Sequence, residues 1–106
     1  MSVGASSRPN DPVRVDAKHY SVEYEDDRVR IVRARYGPGE KSVMHAHPAL
    51  VAIMLSNSTI RMTYPDGRTE DISTIPGQLM QMPETEHLPQ NVSDQPFEGI
   101  LIELKR

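Results

Sequence analysis

At 106 residues, with a formal net charge of −3 and a pI near 5.7, the chain is sized for one hydrophobic core and too acidic for an electrostatic grip on nucleic acid. It has no cysteine, which removes disulfides, thiolate ligands and cysteine nucleophiles together. One Phe, no Trp and four Tyr leave the interior to Val, Ile, Leu and six Met, the last of which adapt to irregular gaps.

No segment approaches the roughly 18 apolar residues of a membrane span, and Met1 to Asp11 holds no apolar run of secretory-signal length. The expected compartment is the cytoplasm. Residues 1–12, rich in Ser, Gly, Asn and Pro, read as a flexible arm or as a segment ordered only against a partner subunit. Residues 13–106 read as one β-domain.

Tyr20 to Tyr24 and Val29 to Tyr36 are strand-like and are joined by the acidic turn Glu25-Asp26-Asp27, a hairpin. In the second strand the apolar phase changes from Val29 and Ile31 to Val32, Ala34 and Tyr36, which predicts a bulge near Ile31-Val32. The arginines at 28, 30, 33 and 35, with Glu23, Glu25, Asp26 and Asp27, read as charge pairs on a solvated sheet face. Gly37-Pro38-Gly39 is a turn.

Leu50 to Leu55 is an apolar run of strand length that ends at Ser56-Asn57-Ser58. Ile60, Met62 and Tyr64 share one face before the turn Pro65-Asp66-Gly67, after which Arg68 to Ser73 returns as a hairpin partner. Ile75-Pro76-Gly77 opens a further turn into a short strand, Gln78 to Met82, and Phe97 to Lys105 closes the sheet. Short strands punctuated by Gly and Pro, without helical periodicity, predict an all-β fold: a small antiparallel β-barrel or double-sheet jelly roll.

The most pointed chemistry lies at His45 and His47. In a strand, residues i and i+2 share a face, so the two imidazoles aim the same way about 7 Å apart along the backbone. His87 is a third candidate for an open site on one inner wall, since neutral imidazole suits zinc, iron, copper and nickel. The fourth histidine, His19, reads as a surface or hydrogen-bonded core residue.

Two spacings carry a resemblance. Gly39, five residues, His45-x-His47, and then Gly77, five residues, Pro83, His87, three residues, Asn91 resemble the paired motifs of the cupin superfamily across Val29 to Lys105. The glutamate that normally follows the second histidine is missing, since those positions are Val51 and Ala52. Pro83-Glu84-Thr85-Glu86-His87 is also one residue shorter than the usual second motif and lacks its glycine.

The resemblance implies a divalent transition metal on His45, His47 and His87, with Fe(II) expected first and Zn, Ni, Cu or Mn as alternatives. Three neutral ligands would leave the ion's charge uncompensated and positions open for a small chelating carbonyl or carboxylate compound. Three-histidine cupins include dioxygenases, so the implied activity is a non-haem iron dioxygenase. The alternatives are a non-catalytic small-ligand or metal-sensing cupin and a Zn- or Ni-dependent isomerase or hydrolase.

Two further residues are candidates for the chemistry. Gln81, with Gln78, is placed to hydrogen-bond a substrate or a ligand imidazole, against the reading of ordinary strand polars. Glu103 shares the alternation of Phe97, Gly99 and Leu101 and would point inward as a general base or fourth ligand, against a solubilising role on an edge strand. Met44, Met54, Met62, Met80 and Met82 suggest a soft apolar lining. Glu84 and Glu86 read as a solvated loop beside His87. The partners expected are a small molecule and, through open sheet edges, a second copy in a homodimer, with no nucleic acid and no membrane.

Overall fold

The computed structural model describes residues 9–105. A single helical turn, α1 (Pro12–Val15), precedes the strands β1 (Tyr20–Glu25), β2 (Val29–Tyr36), β3 (His45–His47), β4 (Leu50–Met54), β5 (Ser58–Thr63), β6 (Thr69–Thr74), β7 (Leu79–Met82), β8 (Thr85–Asn91) and β9 (Phe97–Leu104). Every ladder is antiparallel. One sheet runs β1-β2-β9-β4-β7 and the other β3-β8-β5-β6. The fold is thus the double-sheet all-β architecture expected from the strand spacing.

The turns explain how so short a chain closes two sheets. Gly67 and Gly77 adopt φ of 90° and 86°, in the left-handed region open to glycine at no steric cost, and each sits where a strand reverses. Gly77 N also donates to Met54 O at 2.7 Å, tying the turn before β7 to the end of β4. The β5–β6 hairpin runs in register from Ser58↔Thr74 to Thr63↔Thr69.

The inner faces meet over a core of Val32, Ala34, Leu50, Ala52, Ile60 and Leu101, with Tyr20, Tyr36 and Phe97 at one side. Alternation is strict in β4, where Leu50, Ala52 and Met54 are buried and Val51 and Ile53 are not. Much of the remaining interior is polar, including His19, Arg30, Asn91, Glu103 and the three candidate ligands. Asn91 is structural: its amide donates to the carbonyls of Tyr36, Gly37 and Gln95 at 3.3, 3.3 and 2.7 Å.

Several expectations need correction. Arg30 is not on a solvated face; it is fully buried, because β2 alternates regularly and turns Arg30, Val32, Ala34 and Tyr36 inward. The bulge does face Ile31 and Val32, but the extra residue, Glu23, is in β1, where the register shifts between Val22 and Tyr24. Glu23 and Arg33 do pair across the outer face, at 3.0 Å.

Residues 85–91 form a strand rather than a loop. Their polar composition and Pro89 hide a period-2 burial in which His87, Pro89 and Asn91 face inward. At the N-terminus, residues 1–8 of the expected arm lie outside the described residues. The boundary at residue 12 cuts through an ordered element: Asp11 caps α1, accepting from Val13 N at 3.3 Å, and both Asp11 and Pro12 are buried. Among the described residues no helix is long and apolar enough to cross a membrane.

Candidate metal centre

β3 and β8 pair so that His45 lies directly across from His87, while His47 emerges two residues along on the same inner face. The three side chains are almost wholly buried, their ring centroids are 4.8 to 5.1 Å apart, and one nitrogen from each lies within 4.8 Å of the others. The sequence expectation that these three would converge is met. Burial, reinforced by the neighbouring imidazoles, holds His45 and His87 down to about 3, so both are neutral with a lone pair to offer at ordinary pH.

The far nitrogens of two of these rings are held by carboxylates, one directly and one through a hydroxyl. Glu103 Oε2 accepts from His47 Nδ1 at 3.3 Å, which turns the Nε2 lone pair of His47 toward the site. Ser42 Oγ donates to Asp16 Oδ2 at 2.5 Å and therefore accepts from His45 Nδ1 at 3.1 Å, which frees His45 Nε2 in the same sense. His87 differs, because its buried Nδ1 has no hydrogen-bond partner. Leaving a buried polar atom unpartnered is costly, and a ligand that completes the cluster removes that cost. The donor set of three imidazoles fits a first-row divalent ion.

At the position where the missing glutamate would be sought, Val51 is half-buried on the outer side and Ala52 faces inward with no ligating atom. The nearest anion comes instead from β9. Glu103 lies in a central strand between β2 and β4, not at an edge, and is completely buried. Its Oε1 accepts from Arg30 Nε at 2.8 Å, and Arg30 in turn donates to both oxygens of Asp11 at 2.6 and 2.9 Å. Burial alone would raise the Glu103 carboxyl, but hydrogen bonds from His47 and Arg30 outweigh it and hold the group below its ordinary value. With both oxygens engaged, Glu103 sits behind His47 as an orienting group.

Gln81 is not brought to the site. It lies on the exposed side of β7 opposite Val51, while its neighbours Met80 and Met82 turn inward. Gln78 Oε1 closes the preceding turn by accepting from Ile75 N at 3.2 Å. His19 is a hydrogen-bonded core residue, held between Asp16 and Glu40 at 2.8 and 3.0 Å and stacked on Tyr36 at 4.3 Å.

His47 and His87 also line a small apolar cavity of about 50 Å³. Met54, Met62, Met80 and Met82 form much of its wall, as expected, whereas Met44 lies outside it. Its polar groups include two tyrosines that the sequence reading left unassigned. Tyr20 and Tyr36 share a 2.6 Å hydroxyl contact, and the Tyr20 hydroxyl is 3.4 Å from His45 Nε2. Burial pushes both phenols up, that of Tyr20 well above its ordinary value, so each remains a hydroxyl. A strict alternation through β2 from Tyr36 would have turned Arg30 inward from the sequence alone; for Asp11 and Asp16 no comparable signal exists.

No family model matches the sequence, and no curated protein matches it. Solved structures do. A cupin domain from Bordetella pertussis Tohama I superposes with a TM-score of 0.76 at 26% identity over 82% of this chain and 92% of that one. An RmlC-like cupin family protein with a double-stranded β-helix fold from Methanocaldococcus jannaschii gives 0.64 at 20% identity, covering 85% and 84%. A DMSP lyase from Ruegeria pomeroyi gives 0.59 at 14% identity, covering 84% of this chain and 48% of that one. Two facing antiparallel sheets, histidines meeting across β3 and β8, and these neighbours together place the chain in the cupin superfamily, with the double-stranded β-helix fold.

Proposed function

We propose that this cupin is a metal-dependent oxidoreductase, a non-haem iron dioxygenase acting on a small apolar compound that carries a chelating carbonyl or carboxylate group. The observation that carries this reading is the meeting of three imidazoles, two of which line an apolar cavity, with no carboxylate in the group. Bound there, Fe(II) would supply Lewis acidity and adjacent open positions for substrate and dioxygen.

The chain's own groups define what fits. Asp11, Arg30 and Glu103 stand behind His47, and Asp16 stands behind His45 through Ser42, so part of a divalent ion's charge would be met from outside its ligands. The methionine wall excludes water and receives an apolar body, while the Tyr20 hydroxyl is positioned to donate to the head-group oxygen. Among the described residues no lysine or arginine lines the cavity, which disfavours phosphorylated substrates.

The test is oxygen uptake by the Fe(II)-loaded chain with a panel of small β-diketones and 2-oxo acids. Uptake that requires both iron and substrate supports the reading; saturable binding without uptake leaves a ligand-binding cupin. A second reading, oxygen-independent isomerisation or elimination with Zn or Ni, is favoured by the tyrosine pair beside the site, which could handle a proton. Two structural neighbours that share the fold are a DMSP lyase and a sugar phosphate isomerase from Silicibacter pomeroyi, a likeness of fold alone. Turnover under anaerobic conditions would decide for it.

A further inference from the structure

The segment around α1 is linked to the histidine strand in three ways, one direct and two relayed. Ala46, which stands between His45 and His47, donates its backbone N–H to Asn10 O at 2.9 Å. Asp11, just before the helix, reaches Arg30, which reaches Glu103, which holds His47 Nδ1, through contacts of 2.6, 2.8 and 3.3 Å. Asp16, just after the helix, reaches Ser42 at 2.5 Å, and Ser42 holds His45 Nδ1 at 3.1 Å. The side chains of Asp11 and Asp16 are 1% and 9% exposed, so neither link is a surface ion pair that solvent would screen away.

We propose that Asp11 and Asp16 are positioning residues for the metal centre, and that docking of residues 10–16 on β3 is energetically coupled to metal binding. The inference rests on the reading of His45, His47 and His87 as ligands. Neither aspartate touches the site. Asp11, through Arg30 and Glu103, and Asp16, through Ser42, each fix the ring orientation and tautomer of one histidine, and a ligand whose far nitrogen loses its partner is free to rotate away from the ion. His87, whose buried Nδ1 has no hydrogen-bond partner, has no comparable link to the segment. Coupling of this kind is reciprocal, so metal binding must also tighten the segment's hold on β3.

The experiment measures Zn(II) affinity of the full chain by competition with a chromophoric chelator, for the unaltered protein and for Asp11→Asn, Asp16→Asn and Ser42→Ala. The expected loss is about ten-fold to a hundred-fold per variant. The Co(II) form should show a changed d–d spectrum in each variant, a change that loss of stability alone does not produce. In the unaltered chain, Zn(II) should slow hydrogen exchange at the Ala46 amide by at least about ten-fold.

Folded variants with unaltered affinity and an unaltered Co(II) spectrum would overturn the proposal. If the aspartate variants fail to fold, Ser42→Ala decides, since it removes only an uncharged hydroxyl. If the unaltered chain itself takes up no Zn(II), Co(II) or Fe(II), the assignment of the ligands fails and this inference falls with it, a result distinct from normal binding that the variants leave unchanged.

Discussion

Glu103 Oε2 stands 3.3 Å from His47 Nδ1 while its other oxygen is held by Arg30, so the carboxylate is fixed before any ion arrives. The carboxylate absent after β3 has a counterpart on the last strand, behind His47. Glu103→Gln keeps the shape but removes the charge and reduces the hold on His47. Metal affinity is expected to fall about ten- to a hundred-fold, measured by chelator competition, with the fold retained by circular dichroism.

Arg30 faces two carboxylates in the fully buried interior. Arg30→Met leaves Asp11 and Glu103 without their cation, and breaking a buried pair from one side costs about 3–5 kcal/mol. Arg33→Met, on the outer face beside Glu23 and Glu98, should cost much less, because solvent screens that cluster. Urea unfolding of the two variants side by side distinguishes the buried cluster from the surface one. Equal losses would contradict the assignment.

The metal-free chain should be acid-sensitive well above the carboxylate range. His45 and His87 titrate near 3 when folded against 6.5 as ordinary histidines, so between those values the unfolded chain binds more protons than the folded one. Stability is therefore fully present above about pH 6.5 and erodes as the pH falls toward 3, by at most about 1.4 kcal/mol per pH unit for each histidine. Glu103, held below its ordinary value, adds a loss at the lower end of that range. Denaturant midpoints at pH 7 and pH 5 measure the slope, and a flat profile would show that these rings are not buried in their neutral form.

A homodimer through sheet edges is a separate proposal. β7 is the outer strand of its sheet and carries Leu79, 68% exposed, on an edge with unpaired backbone groups. Sedimentation of the unaltered chain at micromolar concentration should give a dimer, and Leu79→Lys should shift it toward monomer. A monomeric unaltered chain would end that proposal.

The sequence by itself determined the local features. Turn glycines, β-branched runs and the His45-x-His47 alternation are set by short-range sterics and by the period-2 pleat, so the strands, the two-sheet fold and the three converging histidines were legible. Even the inward direction of Glu103 followed from alternation along β9. The tertiary structure alone decided what surrounds those histidines.

Arg30 looks solvated until two acids from residues 11 and 103 are brought against it, and β8 looks like a loop until β3 and β5 pair with either side of it. Gln81 looks like a ligand partner until the pleat of β7 turns it outward. Burial of a charge depends on partners distant in the chain, and distance along the chain carries no signal of which partners meet. For that reason the three histidines could be read from a motif, whereas the links that tie Asp11 and Asp16 to them could be read only from the folded barrel.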